Sequence, residues 1–396
     1  MNGPISRMIA HTVGMNHSFA TQAVHAGRED LAELGVHAPP IDLSTTYPAV
    51  DSHVEADRIS RFAAGLQPPG SPLYSRLHNP TVGRFESALA TLEKAEAAVG
   101  FASGMAALTA CLLAAVAAGK PHVVAVRPLY GGSDHLLNCG LLGTRISWAE
   151  PGRVGDAIEA DTGLVIVETP ANPTLTEVDL AALAAECGEV PLLVDNTVAT
   201  PVTQRPLEHG ASIVLHSATK FLGGHGDVMG GVVACGEEFA VRLRQIRIAT
   251  GGILDPFGAY LLHRGLATLP VRVAAQSATA AELADRLADD RRVSVVHYPG
   301  RSPRRPGQME SGGAMLSFEV VGDATRVVAA VGLITPAVSL GSVDSLIQHP
   351  ASLTHRIVEE TDRQSCGVNA AMLRLSVGLE AVEDLWADLD QALKAA

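Results

Sequence analysis

The chain has 396 residues, 47% hydrophobic and 18% charged, with 42 acidic and 29 basic side chains and a formal net charge of −13. That length leaves room for two or three domains and a large core, and the composition excludes a disordered chain. The acidic balance, with no dense basic cluster, excludes a nucleic-acid groove.

In chain order, the opening "MNGPISRMIAHTVGMNHSFATQ" has no apolar stretch long enough for a signal peptide, so a cytoplasmic location is expected. The scattered Cys111, Cys139, Cys187, Cys235 and Cys366 fit the same reducing setting and make neither a disulfide framework nor a zinc site. Residues 1–75 contain "APP" and "LQPPGSP" and no long periodic run. They read as an arm that orders against a partner surface. Residues 97–119 carry no charge and are long enough to span a bilayer. They are rich in alanine, however, and are broken by Gly100, Ser103 and Gly104. A strand end, a turn at 102–103 and a buried helix from Gly104 fit that composition better than a span, so no membrane partner is expected.

The apolar runs 123–126, 164–167, 192–194 and 213–215 read as buried strands, and 179–186 ("DLAALAAE") has helical spacing. Strands alternating with helices predict an α/β fold with a mostly parallel sheet. In such sheets ligands gather at the carboxyl ends of strands. Glu168, Asp195, His216 and Ser217 stand at those ends. After about Gly265 the texture changes. "SVVHYP" and "AMLSFEV" alternate like half-buried strands, and Val382, Leu385, Trp386, Leu389 and Leu393 mark one face of a closing helix. The expected division is an arm over 1–75, a large domain over 76–265 and a smaller α+β domain over 266–396.

"HSATKFLGGHGD" puts Lys220 just past a strand, between hydroxyls and a glycine cluster. A loop lysine of this kind is ordinarily solvated. Asp195, Ser217, Thr219 and Ser103 each read as ordinary caps, and Arg76 as a loop arginine. Together they match the needs of a pyridoxal phosphate enzyme. Such an enzyme needs a lysine for the aldehyde, a carboxylate for the pyridine nitrogen and donors around a phosphate dianion. It also needs an aromatic ring against the pyridine face and an arginine for the substrate carboxylate.

The segments "YSRLHNPT", "FASGMAAL", "LYGG", "ETPANPT", "VDNTVATP", "HSATKFLGGHGD" and "SLGSVDSLIQHPASLTH" resemble the pyridoxal-phosphate enzymes of cysteine and methionine metabolism, the trans-sulfuration group. The resemblance runs from about Thr21 to the C-terminus, with every motif in family order. It implies an aspartate-aminotransferase-like fold (fold type I), pyridoxal 5'-phosphate as cofactor, an amino-acid substrate and a homotetramer built as a pair of dimers. No metal is implied. Lys220 then resembles the aldehyde-binding lysine and general base, Asp195 the partner of the pyridinium nitrogen, and Tyr130 the stacking ring and acid. Gly104 and Met105 would offer N–H groups to the phosphate from the helix start at Ser103, with hydroxyls from Ser217 and Thr219. Tyr74 and Arg76 would reach that phosphate from a neighbouring subunit. Asn172 would touch the cofactor's phenolic oxygen. Ser339 and Arg374 would hold the substrate carboxylate.

Two positions bear on the reaction. Val338, just before Ser339, stands where cystathionine-handling relatives tend to carry a glutamate. A valine suits a short apolar tail such as methylthio. Gly132 points the other way, because methionine γ-lyases usually have a cysteine after the Tyr-Gly pair. The leading expectation is γ-elimination on methionine or homocysteine, giving 2-oxobutanoate, ammonia and a thiol. Cystathionine γ-lyase comes next, then γ-replacement on an activated homoserine ester, as in cystathionine γ-synthase or the sulfhydrylases. A metal hydrolase built on His216, His225 and Asp227 lacks a helical ligand signature. A non-catalytic pocket protein would have no use for the full set of lysine, aspartate, tyrosine and arginines. The stretch "PVRVAAQSATA" departs from relatives, which carry charged and His or Cys residues there.

Overall fold

A computed structural model describes residues 17–49, 51–301 and 308–396. The first part of the opening segment, and with it the start of the arm, lies outside the described residues.

The larger sheet has seven strands: β1 (Ala97–Phe101), β2 (His122–Val126), β3 (Arg145–Ala149), β4 (Thr162–Glu168), β5 (Leu192–Asp195), β6 (Ile213–His216) and β7 (Gly231–Cys235). Their order is β1-β7-β6-β5-β4-β2-β3. The run from β3 through β2, β4 and β5 to β6 is parallel, and β7 is antiparallel to both β6 and β1. The expected α/β class and mostly parallel sheet are therefore present. Apolar runs form the central strands because helices cover both faces there and leave no polar side, whereas the edge strand β3 is partly exposed. On one face, Leu112 and Leu243, from the helices Gly104–Ala117 and Glu237–Thr250, pack with Val123, Ile166, Leu193 and Val233. On the other, Phe85, Leu89 and Leu262, from Pro80–Glu93 and Pro256–Leu266, pack with Val214 and Val232.

The uncharged stretch 97–119 resolves into β1, a turn and the helix Gly104–Ala117. Among the described residues, no helix is long and apolar enough to cross a membrane. The "DLAALAAE" helix runs over Leu180–Cys187, with the Asp179 carboxylate accepting the Ala182 N–H at 3.0 Å.

A second sheet holds β8 (Val293–His297), β9 (Met315–Val320), β10 (Thr335–Pro336), β11 (Leu346–Gln348) and β12 (Met372–Ser376), in the order β10-β11-β12-β9-β8. One face packs on the helices Leu269–Ala288 and Val382–Ala392. Half-burial holds for β8 but not for β9, which is buried almost throughout. Leu316 and Phe318 face the small core, while the opposite face meets the larger sheet's loops, where the Ser317 hydroxyl donates to the Pro173 carbonyl at 2.6 Å.

The arm carries more regular structure than its sequence suggests, including the helices Phe19–His25 and Ser52–Ala63. The second helix buries little beyond Phe62 and leaves Val54 and Ile59 exposed. Arg84 joins the arm to the body through the Asp30 carboxylate at 2.6 and 2.8 Å and the Gly27 carbonyl at 2.6 Å.

"PVRVAAQSATA" lies in the helix Leu269–Ala288 and acquires a structural role. Buried Arg272 donates to the Phe221 and Gly265 carbonyls at 2.9 and 2.8 Å. Gln276, four residues later and on the same helix face, donates to the Ser342 and Val377 carbonyls at 2.8 and 3.0 Å. This helix thus holds the loop after β6 and the ends of the second sheet together.

At the head of β7, a Cβ on Gly231 would lie 2.1 Å from the Ser103 carbonyl oxygen and 2.7 Å from the Gly104 nitrogen. Gly231→Ala is therefore expected to displace the start of the helix Gly104–Ala117 and to destabilise the protein by about 1–3 kcal/mol. Urea unfolding checks this. An unchanged midpoint would contradict the close approach.

Candidate active site

The carboxyl ends of β4, β5 and β6 open on a cavity of about 310 Å³. From one side Ser103 begins a helix, its hydroxyl accepting the Ala106 N–H at 3.1 Å, which leaves the N–H groups of the first turn at the cavity edge. Asp195 ends β5 and accepts the Thr197 N–H at 3.0 Å. The Thr197 hydroxyl in turn accepts the Ser217 N–H at 2.8 Å. The Thr219 hydroxyl exchanges hydrogen bonds with Gly230, donating to its carbonyl and accepting from its N–H.

Lys220 lies in the turn after β6, and its Nζ donates to the Ser339 hydroxyl at 2.6 Å. Ser339 has φ +82°, a left-handed conformation unusual for a residue with a Cβ. Gly341, at φ +81°, completes that turn, and a Cβ there would meet the Phe221 nitrogen at 2.5 Å. The turn thereby presses against the backbone beside Lys220. Arg374, on β12, is fully buried. It donates to the Asn172 amide oxygen at 2.8 Å and to the Ser339 carbonyl. The Gln348 amide oxygen, in the orientation that satisfies its neighbours, accepts from Arg374 Nη1 at 2.8 Å and Nη2 at 3.0 Å.

Burial sets the electrostatics. Desolvation, and then the Arg374 charge, lower the Lys220 pKa to about 8. Desolvation alone outweighs the nearby carboxyl and brings Arg374 to about 10. Burial also raises Asp195, against the Thr197 hydrogen bonds and the charge of His216. Glu168, beside Asp195 in register, rises to about 8 through burial and then through the Asp195 charge. His355 falls to about 4, again chiefly by burial, and stays neutral.

Ser103, Gly104, Met105, Tyr130, Asn172, Asp195, Ser217, Thr219, Lys220, Val338, Ser339 and Arg374 all line this one cavity. Tyr74 and Arg76 do not. Arg76 donates to the Ile248 carbonyl at 2.8 Å, and its guanidinium lies 5.5 Å from the Tyr74 ring. The cavity also includes Glu168, Thr197, Met229 and Thr354, which the motif reading did not place in the site. Glu168 had a readable signal, since it ends an apolar run as Asp195 does. Thr354 and the Arg374 partner Gln348 had none, because only folding brings "IQHPASLTH" over the larger sheet. His216 faces away from the cavity, its Nε2 2.5 Å from the buried Glu93 carboxylate, so it forms no metal site with His225 and Asp227.

The donor set fits pyridoxal phosphate: an amine partly stripped of its proton, a carboxylate at strand-end depth, and N–H and hydroxyl donors at a helix start. An amine and a carboxylate in one cavity at the ends of a mostly parallel sheet agree with the expected class, a pyridoxal-phosphate enzyme of aspartate-aminotransferase-like fold (fold type I). Comparison with known proteins then narrows the class. Residues 20–394 match the family described as Cys/Met metabolism PLP-dependent enzyme, and the chain belongs to that family. It is 67% identical over 374 residues to the L-methionine gamma-lyase of Streptomyces avermitilis, covering 94% of this chain and 88% of that protein. Identity to the L-methionine gamma-lyase of Brevibacterium sandarakinum is 56% over 385 residues, 95% of this chain and 97% of the other. The solved structure of cystathionine gamma-lyase from Lactobacillus plantarum complexed with L-serine has a TM-score of 0.86 and 33% identity, covering 96% of this chain and 99% of that one.

The depressed Lys220 pKa has a direct consequence. In the cofactor-free chain the Lys220 amine is expected to become reactive through a midpoint near pH 8, against about 10.4 for ordinary lysines. Competitive acetylation followed by peptide mass spectrometry measures it. A midpoint with the other lysines would contradict the desolvation.

Proposed function

We propose that this chain is a carbon–sulfur lyase acting by γ-elimination on L-methionine or L-homocysteine. With one water consumed, it would release 2-oxobutanoate, ammonia and methanethiol or hydrogen sulfide. The observation that carries the reading is Val338 at the cavity wall next to Ser339. The only carboxyl groups among the described cavity residues are Glu168 and Asp195, at strand-end depth. A distal ammonium, as in cystathionine, would find no counter-charge near Val338, whereas a methylthio group fits an apolar wall. The names of the Streptomyces and Brevibacterium relatives support the same reading.

The cofactor, when bound, supplies an electron sink for charge developing at the substrate Cα. The proposed roles of the protein groups are those the family resemblance implies. Lys220 would hold the cofactor's aldehyde and, as a free amine, would take the substrate Cα proton. Its lowered pKa favours the free base. Asp195 holds the proton on the pyridine nitrogen. Gly104 and Met105 at the helix start, Ser103, Ser217 and Thr219 bind the phosphate. Tyr130, at the cavity wall, would lie against the ring and would supply a proton to the departing sulfur. Asn172 meets the phenolic oxygen. Ser339 and Arg374 fix the substrate carboxylate, and Arg374 is held in place before substrate arrives by Asn172, Ser339 and Gln348.

Tyr74 and Arg76, away from the cavity of their own chain, are proposed to complete the phosphate site of a neighbouring subunit in a homotetramer made of two dimers. The proposed division is an arm over 1–75, a cofactor domain over 76–265 and a C-terminal domain over 266–396. The proposed location is the cytoplasm.

Gly132 favours cystathionine as a second substrate class. A Cβ there would stand 2.6 Å from Tyr130 Cε1, so the glycine leaves the phenol space that a cysteine would take.

The deciding experiment is a panel of methionine, homocysteine, cystathionine, cysteine, and O-acetyl- and O-succinyl-homoserine with a thiol, each with product identification. Methionine or homocysteine should give the highest kcat/KM and 2-oxobutanoate. Turnover of an ester plus thiol alone would refute the lyase reading. Lys220→Ala should abolish turnover and the cofactor's visible absorbance band, and a near wild-type rate would remove Lys220 from the mechanism. Val338→Glu should shift the methionine-to-cystathionine kcat/KM ratio toward cystathionine by about tenfold or more, the scale of a single pocket contact.

A further inference from the structure

Glu168 ends β4 almost fully buried, and none of the roles above uses it. Its two carboxyl oxygens are divided between two loops. Oε2 accepts the Tyr130 N–H at 2.6 Å, and Oε1 accepts the Asn172 N–H at 2.9 Å. Tyr130 follows β2, whereas Asn172 follows β4. From Asn172 the connections continue: its amide oxygen takes Arg374 Nη1 at 2.8 Å, Arg374 donates to the Ser339 carbonyl, and the Ser339 hydroxyl takes Lys220 Nζ at 2.6 Å.

We propose that Glu168 is a positioning residue that sets the Tyr130 phenol and, through Asn172, the Arg374 guanidinium in fixed register with each other. The proposal rests on the roles given above to Tyr130 and Arg374. Its chemical basis is specific. Only a carboxyl group at this position offers an acceptor to both N–H donors. A glutamine would accept one and turn its own NH₂ against the other, and an alanine would accept neither. The site is costly for a carboxyl group, because it is dry and Asp195 lies beside it on the neighbouring strand. An amide there would avoid that electrostatic cost but would release one loop. A loop freed by about 1 Å is enough to cost roughly 10²-fold in rate when it carries a reacting group.

The test uses the holoenzyme with Glu168→Gln and, as a second variant, Glu168→Asp. The aspartate keeps the carboxyl group but is a methylene too short to reach both loops. For each, the visible circular dichroism of the bound cofactor is recorded per mole bound, with kcat, KM and the thermal midpoint. The expected result is an altered dichroic band, a kcat lower by about 10²-fold and a raised KM, in protein that still folds and binds cofactor. In a Tyr130→Phe background, Glu168→Gln should cost much less than it does alone, because the hydroxyl that Glu168 positions is already gone. A merely structural Glu168 would lower the thermal midpoint and leave the band, kcat and KM of folded holoenzyme unchanged, and this would overturn the proposal. Fully additive effects of Glu168→Gln and Tyr130→Phe would overturn it as well. The dichroic band needs no substrate, and the coupling can be read with whichever substrate the panel shows to react. Failure of the methionine reading is thereby distinguishable from failure of this one.

Discussion

The whole site depends on one constraint: four ionisable groups, largely withdrawn from water, line one cavity. Lys220, Arg374, Asp195 and Glu168 all line it, and burial is the largest influence on the proton affinity of each. In water these groups would be unremarkable. Out of water each charged form is penalised, so the amine gives up its proton more readily and the carboxyls hold theirs more tightly. Reactivity at Lys220 is thus created by packing before any ligand arrives. The same packing makes unpaired charge expensive, which is why Arg374 is met by Asn172, Ser339 and Gln348 together.

Such a cavity holds its shape only if its walls come from rigid elements. The larger sheet presents three strand ends side by side, and the second sheet brings Arg374 and Gln348 against them on β12 and β11. The contact between the sheets is narrow and specific. Ser317 grips the Pro173 carbonyl, the Ser339–Gly341 turn presses on Phe221, and Arg272 and Gln276 hold both sides from a single helix. The strained backbone at Ser339 lies where the lysine of one sheet meets the arginine of the other. The favourable contacts of that junction offset the strain.

The amino-acid sequence alone carried four strands of the larger sheet, β2, β4, β5 and β6, because runs buried on both faces need consecutive apolar residues, whereas β3 and β7 were not read as strands. It carried the helix starts at Ser103 and Asp179, because capping is local chemistry. It also placed Lys220, Asp195 and the glycine-bounded turns at strand ends. The arm helices were missed: Phe19–His25 has only seven residues, and Ser52–Ala63, though amphipathic, buries little beyond Phe62. β9 was misread as half-buried because its polar Ser317 looks solvent-facing in sequence and in fact reaches a carbonyl across the sheets.

What the sequence determined by itself was chemistry and local form: which residues could react, and which segments would bury themselves. What only the tertiary structure decided was company. Glu168 became the shared acceptor of two loops, Gln348 came against Arg374, Thr354 joined the cavity wall, and Arg272 became a brace for the lysine loop. Each of these depends on distances between residues far apart in the chain, such as the 202 positions between Asn172 and Arg374. Spacing along a chain encodes a helix face or a strand edge, but the meeting of remote groups is set by how the two sheets pack.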